Sequence, residues 1–275
     1  MGSSPAARIS VAAALFSLLL IDAGSVVADD EPGAGLRSPP RSFALPTEIE
    51  HDFGADNGEA TIVRLLPLYS LPLTKQLRLV NVDIISLADS PGGVPGRPGN
   101  PNPVSGDQAF GLSDWVHASF FTTENQSGFI WGAGFIFSAP TATNDVLGTG
   151  KWAAGPALRL TWRDGPWNIG LLAGQRWSFA GDASRPDLNS LIMRGTIRRQ
   201  LPNRWYFVSA PIITVNWDAR SSQRWLVPVG GGFGRSFDLW QQGWAASVQA
   251  YYNVIRPDGA PDWAVRLQII AALPL

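Results

Sequence analysis

His117 and Ser119 are the residues of this 275-residue chain whose types and spacing best suit nucleophilic chemistry. They stand two apart in WVHASFF, so on an extended strand they share a face. An imidazole in hydrogen-bond reach of a hydroxyl can take its proton as the oxygen attacks a carbonyl, provided a third group orients the ring. Phe120 and Phe121 follow, and no orienting group is evident beside them. The expected role is therefore a plain pair of polar side chains facing the interior of the fold, and no catalytic residue is assigned. His51 is too distant to build a metal site with His117, and Cys is absent, which removes thiolate ligands and disulfides. No metal or cofactor is expected. GGGFGRS, residues 230–236, lacks the Lys-Ser/Thr ending of a phosphate loop, and no helical pattern follows it. Its small residues are better read as a strand with a bend or a close backbone approach.

A second set of candidates is cationic: Arg159, Arg176, Arg194, Arg198 and Arg266. What they can do depends on the elements that carry them. From about residue 60 the chain alternates with period two. In residues 151–163, Trp152, Ala154, Pro156, Leu158, Leu160 and Trp162 share one face, and Lys151, Ala157, Arg159 and Thr161 share the other. Asp164-Gly165-Pro166 then reads as a tight turn, and residues 167–178 repeat the scheme with Trp167 and Trp177 at the ends of the apolar face. Ten residues of strand rise roughly 33 Å, and a tilt of about 40° leaves roughly 25 Å along the membrane normal. That is the height of the apolar band between the aromatic girdles of an outer-membrane barrel. Trp152, Trp162, Trp167 and Trp177 are thus expected at the membrane interface, because the indole ring is apolar and its N–H is wet.

The N-terminus fits export. Arg8 precedes an apolar run, Ile9 to Ile21, and Val26-Val27-Ala28 resembles a cleavage site, so residues 1–28 read as a signal peptide. A membrane anchor is the alternative, but the run is shorter than the ~20 residues of a spanning helix. Residues 29–45 are rich in Pro, Gly and charge and read as a flexible periplasmic lead-in, leaving 46–275 as the barrel. The net charge of −1 offers no basic stripe for nucleic acid.

Loop lengths alternate as in an outer-membrane barrel, with short turns near 72–75, 122–127, 164–166 and 202–204 and longer loops near 88–108, 139–150, 180–187 and 217–223. Eleven strands are legible, and parity calls for one more in the weak segment 42–54, FALPTEIEHDF. The expected fold is all-β, an antiparallel transmembrane barrel of about twelve strands, ten being the alternative count. A soluble β-sandwich also alternates, but it has no reason to place Trp at both strand ends. Pro211 and Pro228 fall inside strands and should mark a break or a bulge.

On a barrel the polar face lines the lumen. Arg159, Arg176, Arg194, Arg198 and Arg266 then point inward and, with few acids expected among the strands, give a basic lumen that favours anionic solutes. The competing role is structural, in ladders with loop carboxylates such as Asp182, Asp187 or Asp218.

Six segments together, FGLSDW (110–115), PTATNDVLGTGKWAAGPA (140–157), GQRWSFAGD (174–182), APIITVNWDA (210–219), RWLVPVGGGFGRSF (224–237) and YYNVIRPDGAPDWAVRLQI (251–269), resemble the bacterial outer-membrane family named for a putative MetA pathway of phenol degradation. The resemblance runs from about residue 60 to the end. It implies an outer-membrane barrel of transporter type and assigns no catalytic residues. His117 and Ser119 also have the interval of the catalytic pair in some outer-membrane phospholipases, but the Asn-Gly of that motif is missing. The expectation is a monomeric, non-enzymatic barrel in the bacterial outer membrane. It would be surrounded by lipid and pass small hydrophobic or aromatic solutes, including anionic ones. A lipid-acting barrel enzyme and a closed structural or binding barrel, plugged by the Pro-rich segment 91–103, are the other two classes.

Overall fold

The computed structural model describes residues 42–123, 128–240 and 242–273. The expected signal peptide lies outside the described residues. Fifteen β segments make up the fold: β1 (Ser42–Phe53), β2 (Ala60–Leu65), β3 (Leu68–Pro72), β4 (Leu77–Ser90), β5 (Ala109–Leu112), β6 (Trp115–Thr123), β7 (Gly128–Ala139), β8 (Lys151–Asp164), β9 (Trp167–Gly181), β10 (Asn189–Gln200), β11 (Trp205–Ser209), β12 (Ile212–Asn216), β13 (Trp225–Leu239), β14 (Gln242–Ile255) and β15 (Trp263–Leu273). β2 with β3, β5 with β6, and β11 with β12 are halves of interrupted strands. Twelve strands therefore run antiparallel around a ring, which closes where β1 pairs with β15. No described helix is long and apolar enough to cross a membrane.

The closed ring follows from the alternation. Most strands present one apolar and one mixed face, and closure leaves no edge with unpaired backbone groups, which hydrocarbon cannot satisfy. The outward face carries Ile85, Phe121, Phe135, Leu158, Phe233 and Val248, all exposed. An apolar belt outside and a polar row inside is the architecture of the bacterial outer membrane. The connections 73–76, 165–166 and 201–204 are short and lie at one end of the ring; the longer 91–108, 140–150 and 182–188 lie at the other. By that asymmetry the short turns face the periplasm.

The proline interruptions carry a cost that the fold offsets. Pro211 separates β11 from β12, and the freed backbone N–H of Ala210 donates to the Tyr251 hydroxyl at 2.7 Å. At Pro228 the β13–β14 register shifts by a bulge. The hairpin at 164–166 turns on Gly165 at φ +51°, in the left-handed region that glycine tolerates. One boundary moves. β1 begins at Ser42, inside the expected 29–45 lead-in, because the last strand needs a partner along its full length and Phe43 pairs with Leu273.

Candidate functional site

The lumen is built from the even-numbered residues of β1 and β4 and their counterparts around the ring. β1 contributes Glu48, Glu50 and Asp52, all buried. Glu50 accepts two hydrogen bonds on one oxygen from Arg266 of β15, at 2.8 and 2.6 Å, and one on the other from Arg64 of β2, at 2.8 Å. This triad ties the first strand to its neighbours on both sides, across the closing seam. Glu48 is reached by Gln268 at 2.8 Å and by Arg194 at 2.6 Å. Arg194 sits on β10, separated from β1 around one side of the ring by the β11–β12 strand, β13, β14 and β15. The Arg194–Glu48 pair is therefore a strut across the lumen.

Apolar side chains close the periplasmic half. Leu66, Leu68, Val80, Val82, Tyr206, Val208 and Ile270 cluster there from opposite walls. At the other end the loop 91–108 folds inward. Thr214 donates to the carbonyl of Gly96 at 2.7 Å, Asn216 donates to that of Pro101 at 3.1 Å, and Arg97 lies 3.7 Å from Asp52. Between loop and cluster is a cavity of ≈ 170 Å³, walled by aliphatic and aromatic side chains such as Ile62, Val82, Phe120, Ile136 and Leu172, with Arg159 and Arg194 among its few charges.

All five arginines singled out by sequence turn inward. Arg159 borders the cavity. Arg176 reaches Ser190 at 3.3 Å, and Arg198 lies over the Tyr206 ring, 3.6 Å from its centroid. Arg194 and Arg266 are taken up in the β1 network. The expectation of few strand acids is thus corrected. Carboxylates do join the arginines, and they come from the strand with the weakest pattern rather than from Asp182, Asp187 or Asp218. Asp187 is instead held in the 182–188 connection by Lys151 at 3.1 Å and Ser178 at 3.1 Å, contacts that lower its pKa. Trp152, Trp162, Trp167 and Trp177 stand on the outward face, 40%, 39%, 36% and 48% exposed. Trp162 and Trp167 flank the short turn, with Trp152 and Trp177 at the far ends of their strands. In GGGFGRS the close approach is real: Gly234 lies opposite Tyr206 in the register, and a Cβ there would meet the ring.

His117 and Ser119 do not face the lumen. Val116, Ala118 and Phe120 do, so the pair points outward. Nor does it lack a partner. β4 runs beside β6 in a register that places Asp83 opposite His117 and Asn81 opposite Ser119. The orienting group comes from 34 residues upstream, where no local pattern shows it.

No family model matches the sequence, and no curated protein does. Among solved structures the chain is similar to the COG4313 outer membrane channel from Pseudomonas putida F1, with TM-score 0.58 over 89% of this chain and 100% of that one, at 14% identity. The likeness is one of fold. The CymD monoaromatic hydrocarbon channel aligns at TM-score 0.40 and 8% identity over 86% of this chain and 88% of its own, too loosely to argue from. The family named for the MetA pathway is accordingly a resemblance of segments only.

Proposed function

We propose that this barrel is a monomeric outer-membrane conduit that takes a small hydrophobic or aromatic solute, including an anionic one, into its lumen and passes it passively. The observation that carries the reading is the cavity. Its ≈ 170 Å³ is close to the ~150 Å³ of an apolar protein cavity that accepts benzene, so a single aromatic ring fits it. Aliphatic walls favour the ring, and the guanidinium of Arg159 among the lining side chains favours a carboxylate or phenolate attached to it. Passage requires the inward loop to lift and the periplasmic cluster to part. The same two barriers support the second reading, a closed binding barrel that holds its ligand without passing it.

Permeation into protein-loaded liposomes separates the two. Benzoate and benzyl alcohol should both enter faster than in empty liposomes, and Arg159→Gln should slow benzoate several-fold while leaving the alcohol unchanged. Saturable binding of benzoate with no entry of either solute would establish the closed barrel instead.

A further inference from the structure

The outward wall of a membrane barrel is a poor place for polar side chains. A charged group there costs free energy that rises toward the midplane, and an ionisable residue in hydrocarbon normally marks a function. On β4 and β6, four such residues stand in a two-by-two block facing the lipid. Asp83 accepts from His117 Nδ1 at 2.9 Å and from Trp115 Nε1 at 3.0 Å. His117 Nε2 lies 2.8 Å from Ser119 Oγ, and Ser119 Oγ lies 2.6 Å from Asn81 Oδ1. The His117 and Asp83 side chains are 16% and 19% exposed, while Ser119 and Asn81 are 5% exposed, so the block reaches the surface through His117 and Asp83 and its hydroxyl lies beneath its neighbours.

We propose that Ser119, His117 and Asp83 form a serine-hydrolase site on the lipid-facing wall, acting on the carboxylic acyl esters of membrane lipids. The Asp83 carboxylate holds the proton of His117 on Nδ1, which leaves the Nε2 lone pair aimed at Ser119. A hydroxyl has one proton, and turning it from Asn81 to Nε2 makes His117 the general base. Ser119 Oγ then bonds to the ester carbonyl carbon while its proton passes to Nε2. The tetrahedral intermediate collapses by breaking the bond to the alcohol oxygen, which takes the proton back from the imidazolium. Water, deprotonated by His117, attacks the acyl-serine, releasing a fatty acid and free Ser119. Rotating the Asn81 amide by half a turn brings Nδ2–H toward the reacting centre as a donor to the oxyanion.

The block lies on the outer-leaflet half of the wall. Trp115 lies near the long-loop end and packs with Phe137, which packs with Trp152 of the expected outer girdle. Ser119 is four residues below it, about 10 Å along the normal at ~3.3 Å per residue and the usual tilt. Acyl esters lie where headgroups meet hydrocarbon, at girdle level, so an outer-leaflet lipid must bring its ester about 10 Å down the wall, most of the half-height of a roughly 25 Å band, to reach Ser119.

The test is covalent labelling of the detergent-folded full chain with an alkyl fluorophosphonate, with the adduct located by mass spectrometry. Fatty acid release is measured in parallel from phosphatidylethanolamine vesicles and from lipopolysaccharide. An adduct on Ser119, absent in Ser119→Ala and at least tenfold slower in His117→Ala, is expected, with release from one lipid naming the source. Asp83 positions the ring, so Asp83→Asn should slow labelling and Asp83→Glu restore part of it. Heat-dependent gel mobility shows that each variant is folded. Ser119→Ala should leave solute permeation unchanged, which keeps this site distinct from the lumen reading. Folded wild type that takes no label and frees no fatty acid from either lipid would overturn the proposal. So would Ser119→Ala that frees as much as wild type.

Discussion

Replacing Glu50 by Ala should destabilise the barrel more than other single lumen truncations. Glu50 is buried and accepts three charge-assisted hydrogen bonds from two guanidiniums. Removing one partner of a buried ion pair costs about 3–5 kcal/mol, because the other charge is left uncompensated. Arg266 would keep the carbonyl of Ala210 at 2.8 Å and a distant Glu48 oxygen at 3.9 Å, while Arg64 loses its only close ion-pair partner among the described residues. The expected loss is therefore about 4 kcal/mol. Glu50→Gln keeps one acceptor oxygen and should lose about half as much. Urea unfolding of lipid-reconstituted protein, followed by Trp fluorescence and by unboiled gel mobility, measures both. If the triad is a matter of charge compensation, exchanging all three members for Leu (Glu50→Leu, Arg64→Leu and Arg266→Leu) should recover most of the loss. A Glu50→Ala loss below about 1 kcal/mol, or a triple variant as weak as the single one, would refute the reasoning.

Glu48→Ala should remove the strut to Arg194 and raise permeation of small solutes through liposomes several-fold, with little change for solutes larger than a monoaromatic ring. Trimming residues 94–103 to a short Gly-Ser link should lift the inward loop and raise conductance in planar bilayers, because Thr214 and Asn216 then lose the carbonyls they hold. Gly234→Val should crowd the Tyr206 ring and lower the urea midpoint by an amount equivalent to roughly 1–3 kcal/mol, whereas Gly195→Ala, which meets nothing, should not. Trp152→Ala and Trp177→Ala together should slow insertion into preformed liposomes relative to Leu158→Ala, as followed by heat-resistant gel mobility.

Most of the ring was legible because its strands are two-faced. Residues 151–178 carry alternation, turn and girdle spacing together, and the structure places β8 and β9 on those residues. β1 was recoverable only from parity, since Glu48, Glu50 and Asp52 replace the small residues that elsewhere mark a lumen face. That weak pattern is itself the functional signal: the acids are there to meet Arg64, Arg194 and Arg266. β4 departs from the two-faced pattern for a related reason. Asn81 and Asp83 stand on its outward face, where hydrophobic residues are expected, and break the alternation. The block they form with His117 and Ser119 depends on strand register across 34 residues, and pattern within a segment carries no register. The inward path of residues 91–103 was one of the alternatives open from sequence, and hydrogen bonds from distant Thr214 and Asn216 to Gly96 and Pro101 decide it.

Conductance of the purified, heat-modifiable protein in planar bilayers tests the conduit most directly. Discrete steps are predicted, with a reversal potential in a KCl gradient displaced toward chloride by the lumen arginines and a partial block by benzoate. Folded protein that inserts and stays silent, while liposomes bearing it exclude both benzoate and benzyl alcohol, would contradict the account and leave a closed barrel.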